Sequence, residues 1–297
     1  MLGVNKILIA VEQDETAKIV LEKVTKLALA ADAEIHVVRV IYDANVDAEV
    51  HDKASRQELK TFLMAAEESW LEEFIEDTSS RVKLVESATI WHKQEFQGII
   101  DAAIDCEADL IVKASHQPQG MDAVVHTPQD WNLLRHSPVP VMMVKPQAWR
   151  EQPVIIAAID VLHDSEAELN GKILSEAYQL SKILEGDLDV VVAHPFVQPW
   201  IGPNTVPIDF DKVRVEVEGE IRDVVKSLAE RVDVKYRYLH IVEGQTASAV
   251  GYQVDVTDAE ILVIGTAARE GIKGLVLGNT SEAILYHVQC DVAVLRG

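Results

Sequence analysis

Val263-Ile264-Gly265, followed by Gly278-Asn279, is a short apolar strand pattern that ends in one glycine and is followed by another. The same arrangement occurs earlier in the chain, as Ile111-Val112-Lys113-Ala114 followed by Thr127-Pro128. Ala114 and Gly265 are 151 residues apart (265 − 114), and so are Thr127 and Gly278 (278 − 127). Equal offsets at two places indicate an internal duplication, so the chain is predicted to contain two copies of one domain.

Short β-branched runs alternate with helical patterns through both copies, which is typical of buried parallel sheets. In the first copy the predicted strands are 7–11, 35–41, 82–85, 110–112 and 139–144, with helices over 16–31 and 59–75. In the second copy they are 154–159, 188–193, 234–241, 261–264 and 292–295, with helices at 173–184, 213–232, 247–256 and after Thr280. The predicted fold class is therefore α/β, with two tandem five-stranded, Rossmann-like parallel-sheet domains.

A polar segment bracketed by prolines, from Lys145 to Pro153, separates the copies. It is predicted to link domain 1 (residues 1–146) to domain 2 (residues 153–297). Two loops break the symmetry: an acidic one from Tyr42 to Ser55, and a longer, proline-rich one from His194 to Ile208, followed by Phe210. Long loops after a strand are either places where α/β proteins meet ligands or surface flaps, and both interpretations stay open.

The charge balance argues against nucleic acid and membrane partners. The chain carries 49 acidic and 27 basic residues, a formal net charge of −22, which repels phosphate backbones and anionic lipids. Its apolar N-terminal stretch is too short to span a bilayer, so a cytoplasmic location is predicted. Cys106 and Cys290 have no CxxC or metal-ligand spacing and are predicted to be buried free thiols in a reducing compartment.

No motif commits the chain to bond-making chemistry. The sequence has no GxSxG elbow, no GxxxxGK[ST] loop and no GxGxxG after its first strand, so no catalytic residue is predicted. It has ten histidines without HExxH or paired Cys/His spacing, and no metal ligand is predicted among them; those near strand ends or loops are His92, His116, His126, His163, His194 and His240. A zinc site assembled from distant residues stays open.

The stretch from Leu262 to Ser281 resembles the universal stress protein family, and its tandem-domain E type most of all. ATP binders of that family carry G-x2-G-x9-G-[ST], and this chain has Gly265, Ala268, Gly278 and Asn279 there, so two of the four positions depart. The run from His126 to Arg135 resembles the E-type signature in the first half. The resemblance covers essentially the whole chain. It implies the strand order 3-2-1-4-5 and a pseudo-dimer in which the fifth strands of the two halves lie against each other.

The resemblance also implies a nucleotide site in domain 2. It makes Asp160, which follows the first strand of that copy, the acid that faces adenine, and Glu12 is the equivalent residue of domain 1. The alternative role for each acid is to cap the next helix. Gly278 to Ser281 open a helix whose amides, dipole and hydroxyls suit phosphate. The candidate binding residues are Ala158, Asp160, Ala193, Ile264, Gly265, Ala268, Gly278, Asn279, Thr280 and Ser281.

Two features weaken the predicted site. A Cβ at Ala268 costs about 1–2 kcal/mol, or about tenfold in affinity, if that position needs positive φ. Arg269 and Lys273 would offset part of this loss if they neutralise phosphate, and are otherwise solvated loop cations. In domain 1, Pro128 has no N–H and Thr127 lacks the freedom of glycine, so this copy is predicted to be unable to hold a triphosphate.

Three functions are weighed. The first is a cytoplasmic tandem universal stress protein, a non-catalytic ligand-binding or signalling module for stress resistance with a weak or vestigial ATP site, with Mg, in domain 2. The second is a slow Mg-dependent ATP hydrolase. The third is a scaffold that binds an apolar or acyl ligand in a repurposed cleft beneath the flap that carries Trp200 and Phe210. Unidentified protein partners, a small-molecule ligand and a homodimer of the two-domain chain complete the expectations.

Overall fold

The computed structural model describes residues 4–48, 52–83, 85–115, 127–163, 166–195, 209–266 and 279–297. These residues form two compact units, one that extends to Trp149 and one that begins at Arg150. They correspond to the two copies in the sequence, and each is a parallel α/β sheet.

Domain 1 is a five-stranded parallel sheet in the order β3-β2-β1-β4-β5. Its strands are β1 (Lys6–Ala10), β2 (Glu34–Ile41), β3 (Val85–Trp91), β4 (Leu110–Ala114) and β5 (Val141–Val144). Its helices are α1 (Thr16–Ala31), α2 (Ala44–Ala48), α3 (Lys53–Ser79), α4 (Glu95–Asp105) and α5 (Pro128–His136). This is the predicted strand order 3-2-1-4-5.

Domain 2 repeats the arrangement, in the order β8-β7-β6-β9-β10, again all parallel. Its strands are β6 (Val154–Ala158), β7 (Asp187–His194), β8 (Tyr238–Glu243), β9 (Ile261–Thr266) and β10 (Asp291–Arg296). Its helices are α6 (Ala167–Ile183), α7 (Phe210–Arg231), α8 (Thr246–Thr257) and α9 (Asn279–His287). The α/β prediction with two tandem five-stranded sheets is confirmed.

The duplication extends to unusual backbone conformations. Glu107, after α4, and Asp258, after α8, both have left-handed φ, of 55° and 49°. Asp32, after α1, and Glu185, after α6, both have φ of 53°. Residues other than glycine adopt this region rarely, and here each follows the end of a helix. These two pairs of corresponding helices, α1 with α6 and α4 with α8, are therefore followed by the same backbone conformation.

Several sequence predictions are wrong in position. The sequence predicts the third strand at 82–85, whereas β3 spans Val85–Trp91. It predicts the eighth strand at 234–241, whereas β8 spans Tyr238–Glu243. Both are terminal strands of their sheets and only partly buried, so they lack the continuous apolar pattern of a central strand. The acidic segment 42–55 was predicted to be a loop but contains α2 and the start of α3, and α4 was not predicted.

Candidate functional site

The carboxyl ends of the central strands form the candidate site in each domain. In a sheet of order 3-2-1-4-5 the chain reverses its winding between strands 1 and 4, and ligands of open α/β sheets bind at this point. In domain 1 these strands are β1 and β4, and in domain 2 they are β6 and β9. The residues at these strand ends and at the starts of the following helices decide what each site can hold.

Four positions correspond between the two sites. Glu12 and Asp160 each lie two residues after the first strand of their domain, and Lys113 and Ile264 are each the fourth residue of the fourth strand. The first residues of α4 and α8 are Glu95 and Thr246, and the third residues of α5 and α9 are Asp130 and Ser281. Domain 1 therefore has four charged side chains at these positions, and domain 2 has one.

In domain 1 the four charges form one cluster around a buried ammonium group. Lys113 is 3% exposed, and its Nζ lies 2.7 Å from Glu12 Oε1, 3.1 Å from Asp130 Oδ1 and 3.4 Å from Glu95 Oε1. Burial acts to lower the pKa of Lys113, but the carboxylates of Asp130, Glu95 and Glu12 outweigh it and raise that pKa above its ordinary value. The lysine is therefore held in its charged form inside the domain.

The shared ammonium does not compensate Glu95 fully. Burial raises the pKa of the Glu95 carboxyl above its ordinary value. Lys113 opposes that rise, whereas the neighbouring carboxylates of Glu12 and Asp130 add to it. Three carboxylates share one ammonium group, so the cluster has more negative than positive charge.

Asp130 supplies the anion at the start of α5 from within the protein. Its Oδ2 accepts a hydrogen bond from Thr127 N at 2.7 Å, and its own N–H donates to Thr127 Oγ1 at 3.2 Å, which is a capping box. Pro128, in the first turn, has no N–H to offer. A phosphate group at this helix start would have to displace a fully buried carboxylate and lie close to Glu12 and Glu95. This is a physical reason, beyond the altered loop residues, for domain 1 not to hold a triphosphate.

Sequence reasoning noted Lys113 and Ala114 only as replacements for Ile264 and Gly265, and it missed the cluster. The available signal was a lysine directly after the apolar run Leu110 to Val112, followed further on by Asp130 in the run from His126 to Arg135. A charge in a buried strand needs a partner, and residues that follow parallel strands meet at one edge of the sheet.

In domain 2 the structure brings most of the predicted residues to one edge of the sheet. Ala158 ends β6, Ala193 is next to the last residue of β7, and Ile264 and Gly265 lie near the end of β9. Asn279, Thr280 and Ser281 begin α9. Ser281 Oγ donates a hydrogen bond to the Gly265 carbonyl at 3.0 Å and so ties the helix start to the strand end. Ala268, Gly278, Arg269 and Lys273 lie outside the described residues.

Asp160 caps a turn and stays open to solvent. One carboxylate oxygen accepts from Leu162 N at 3.0 Å, and the other lies 2.9 Å from His163 Nδ1. Its backbone N–H donates to Asn170 Oδ1 at 3.1 Å, which anchors the strand end to α6. The side chain is 52% exposed and lies well before α6, so it does not cap that helix. Its carboxylate is oriented by the turn and accessible.

Gly265 has a packing role that needs no ligand. A Cβ at this position would lie 2.8 Å from Ile173 Cδ1 and 2.8 Å from both Cδ atoms of Leu169, on α6. Contacts this short require the neighbours to shift. Close packing of α6 on β9 is therefore a sufficient reason for glycine here.

Other sequence predictions concern metals, thiols and membranes. Across the described ranges, no group of three or more His, Cys, Asp or Glu side chains is arranged to hold a metal ion. His163 and His240 each contact a single carboxylate, of Asp160 and Asp189 respectively, while His116 and His126 are not among the described residues. Neither cysteine is part of a disulfide; Cys290 is buried as predicted, whereas Cys106 is only half-buried. No helix in the described part of the chain is long and apolar enough to cross a membrane.

Most of the proline-rich loop of domain 2 is not described. Residues 196–208, which include Trp200, lie outside the described ranges, and Phe210 begins α7.

Comparison with known families agrees with this architecture. A model of the universal stress protein family matches residues 3–145 and again residues 157–296. The chain therefore belongs to the universal stress protein family, as a tandem member with one family domain in each half.

Curated relatives place it with the E type. The chain is 28% identical to universal stress protein E of Photorhabdus laumondii over 221 residues, which cover 71% of this chain and 69% of the relative. It is 29% identical to universal stress protein E of Escherichia coli (strain K12) over 215 residues, covering 71% and 68%. The predicted tandem E-type relationship is confirmed.

Solved structures share the fold. A putative universal stress protein from Pseudomonas aeruginosa UCBPP-PA14 superposes with a TM-score of 0.75 at 24% identity, covering 99% of this chain and 93% of that one. A universal stress protein from Archaeoglobus fulgidus gives a TM-score of 0.67 at 17% identity, covering 99% and 98%. At these identities the likeness bears on the fold alone.

Proposed function

We propose that this protein is a cytoplasmic, non-catalytic ligand-binding and signalling module of the stress response, in which domain 2 is the sensor and holds ATP, with Mg, weakly. Domain 1 does not bind nucleotide. The family membership supports the stress-related role, and the difference between the two sites supports the division of labour. The ligand-bound state of domain 2 would be read by protein partners that are not yet identified.

The observation that carries this proposal is the contrast between Asp130 and Ser281. Both are the third residue of the helix that follows the fourth strand. In domain 1 this position is a fully buried carboxylate bonded to Lys113 and to the helix cap, so the anion-binding end of the helix is already occupied. In domain 2 it is a hydroxyl, and Lys113 is replaced by Ile264. No internal carboxylate competes with a phosphate at that position.

The non-catalytic assignment is supported by the state of Asp160, the acid that follows β6. A general base must reach the nucleophile, and Asp160 is already bonded to Leu162 N and His163. Its neighbours at the strand ends, Ala158 and Ala193, are apolar. The titratable pair that the described residues place here, Asp160 with His163, is exposed on both sides, 52% and 67%, so it lacks the water-excluded setting that tunes an acid–base pair.

The experiment is isothermal titration calorimetry of the full chain with Mg²⁺-ATP, for the wild type and a matched pair of variants at one position. Ser281→Asp introduces the carboxylate that domain 1 has at this position, and Ser281→Asn introduces a side chain of the same size without charge. Both lose the hydroxyl that bonds Gly265, so the pair isolates the charge. We expect Ser281→Asp to weaken ATP binding at least about tenfold relative to Ser281→Asn, because the added charge would face phosphate.

Equal affinities of the two variants would contradict a phosphate site at the start of α9. Circular dichroism and thermal unfolding of both variants must match, since Ser281 is nearly buried. A turnover assay with Mg²⁺-ATP on the same samples, against a heat-treated control, tests the non-catalytic assignment. Hydrolysis well above that control, and lost in Ser281→Asp, would overturn it.

A further inference from the structure

Domain 1 contains an open pocket of about 480 Å³ beside the buried ion cluster. It lies at the carboxyl ends of β1, β2 and β3, and α3 and the start of α4 also line it. Its lining residues differ in kind from a phosphate site, because they include four acids and two aromatic side chains. Those used below are Glu12, Arg39, Tyr42, Glu67, Trp91 and Glu95.

The pocket has an excess of negative charge. Four carboxylates line it, those of Glu12, Asp43, Glu67 and Glu95, against the cations of Arg39 and Lys93. Arg39 is already engaged, because its Nε lies 3.1 Å from Glu67 Oε2. Its Nη1 lies 3.5 Å from the Val11 carbonyl. The guanidinium and Glu67 therefore neutralise each other, and the remaining field is set by the acids.

Glu12 and Glu95 connect the ion cluster to the pocket. In the described part of the chain both contact Lys113 through Oε1, and neither has a contact through Oε2. Their side chains are 40% and 30% exposed, so each carboxylate is half in the protein and half open to the pocket. Two partly desolvated carboxylates with free oxygens form a strong acceptor pair for a ligand that donates hydrogen bonds and carries positive charge.

An aromatic wall lies on another side of the pocket. Tyr42 and Trp91 pack edge to face, with ring centroids 5.8 Å apart. The Lys60 ammonium lies 5.5 Å from the centroid of the Trp91 ring, so this indole already attracts a cation. Leu63 adds apolar surface. Acidic acceptors next to aromatic rings suit an organic cation with an apolar part.

An anionic ligand is disfavoured at the same place. A phosphate or carboxylate would lie close to Glu12 and Glu95, since Lys113 is buried and shared among three carboxylates and Arg39 is paired with Glu67. The exposed Lys93 also lines the pocket, but one flexible cation does not offset the carboxylates of Glu12, Asp43 and Glu95. The formal charge of the whole chain, −22, adds to that repulsion.

We propose that the domain 1 pocket binds a small organic amine, with its ammonium group between the Glu12 and Glu95 carboxylates and its apolar part against Tyr42 and Trp91. The ligand class differs from that of domain 2, so the two domains of one chain would respond to different molecules. The proposal stands independently of ATP binding in domain 2.

The test is calorimetry of the full chain with a matched ligand set. Tyramine and agmatine are the amine probes, 4-ethylphenol is the uncharged counterpart of tyramine, and 4-hydroxyphenylacetate is the anionic one. We expect the amines to bind, tyramine at least about tenfold more tightly than 4-ethylphenol, because tyramine adds a charged hydrogen bond to a carboxylate. No binding is expected for the anion. Affinity should fall as salt rises.

Variants locate the site. Glu95→Gln should weaken tyramine binding about tenfold, whereas Glu72→Gln, the same charge change at an exposed position of α3 outside the pocket, should change it less than about twofold. Tyr42→Leu leaves the partners of Lys113 in place, and it should weaken tyramine more than agmatine. Thermal unfolding of each variant reports whether the fold is kept.

Three results would overturn the proposal. The first is that neither amine binds at millimolar concentration. The second is that the anion binds as tightly as tyramine. The third is that Glu72→Gln weakens binding as much as Glu95→Gln, which would mean that amines follow the net charge of the chain and not this pocket.

Discussion

Replacement of Lys113 by isoleucine, the residue at the equivalent position of domain 2, tests the buried ion cluster most sharply. The variant leaves three carboxylates around an apolar side chain, and Asp130 among them is fully buried. Removing one partner of a buried ion pair typically costs about 3–5 kcal/mol, because the other charge stays desolvated and unpaired. Protonation of Glu95, whose pKa is already raised, would relieve part of that cost. We therefore expect Lys113→Ile to lower the opening free energy of β4 by about 3 kcal/mol.

A compensated variant provides the matched control. Lys113→Ile combined with Glu95→Thr and Asp130→Ser gives domain 1 the residues of domain 2 at all three positions. Glu12 stays, but its side chain is 40% exposed and can be solvated without Lys113. Replacing the buried part of an ion group by uncharged residues is often neutral or stabilising, so we expect the triple variant to lie within about 1–2 kcal/mol of the wild type. The loss of the Asp130 capping contact accounts for most of that remaining difference.

The assay is native-state hydrogen exchange with mass spectrometry, since it reports the opening free energy of β4 and α5 separately from domain 2. This matters because a two-domain chain need not unfold in one step. The reasoning would be refuted if Lys113→Ile lowered the opening free energy of β4 by less than about 1 kcal/mol. It would also be refuted if the triple variant were less stable than the single one.

Three further predictions follow from single contacts. Gly265→Ala places a methyl group against Leu169 and Ile173 and should destabilise domain 2 by about 1–3 kcal/mol. Gly219→Ala, in α7, is the control, because a Cβ there has no atom within 4 Å and should not destabilise the domain. Urea unfolding checks both. Thr127→Ala removes the capping box of α5 and should cost about 1 kcal/mol of domain 1 stability by hydrogen exchange, with Thr246→Ala, which makes no capping bond, as its control. The pKa of Glu95 is raised in the folded state, so the folded chain binds more protons at Glu95 than the unfolded chain does. The contribution of Glu95 to stability therefore falls as pH rises from 4.5 through that raised pKa. Urea titrations should show this loss in the wild type and not in Glu95→Gln.

The central strands and the family motifs could be predicted from sequence because they depend on local pattern. Residues 110–112 and 261–264 read as buried strands since nearly every side chain in them is apolar, and α1 was predicted at its observed bounds. β3 could not be placed because none of its side chains is fully buried and its apolar alternation is weak. The helix α4 was missed although its apolar residues have helical spacing.

The ion cluster lay beyond sequence reasoning for a different reason. Glu12, Glu95, Lys113 and Asp130 are spread over more than a hundred positions, and each has an ordinary explanation when read alone. Only the parallel register, which pairs Ala10 with Lys113, brings them to one edge of the sheet. In domain 2 the sequence identified the residues at that edge, but it could not show that Gly265 packs closely against α6 or that Asp160 is held in a turn.

Stoichiometry of nucleotide binding tests the central claim most directly. Native mass spectrometry of the purified chain, with and without Mg²⁺-ATP, counts the nucleotides that each chain holds. We predict one nucleotide per chain for the wild type and for Lys113→Ile, and none for Ser281→Asp. Two nucleotides per wild-type chain would contradict the assignment of domain 1, and none at millimolar Mg²⁺-ATP would contradict the assignment of domain 2.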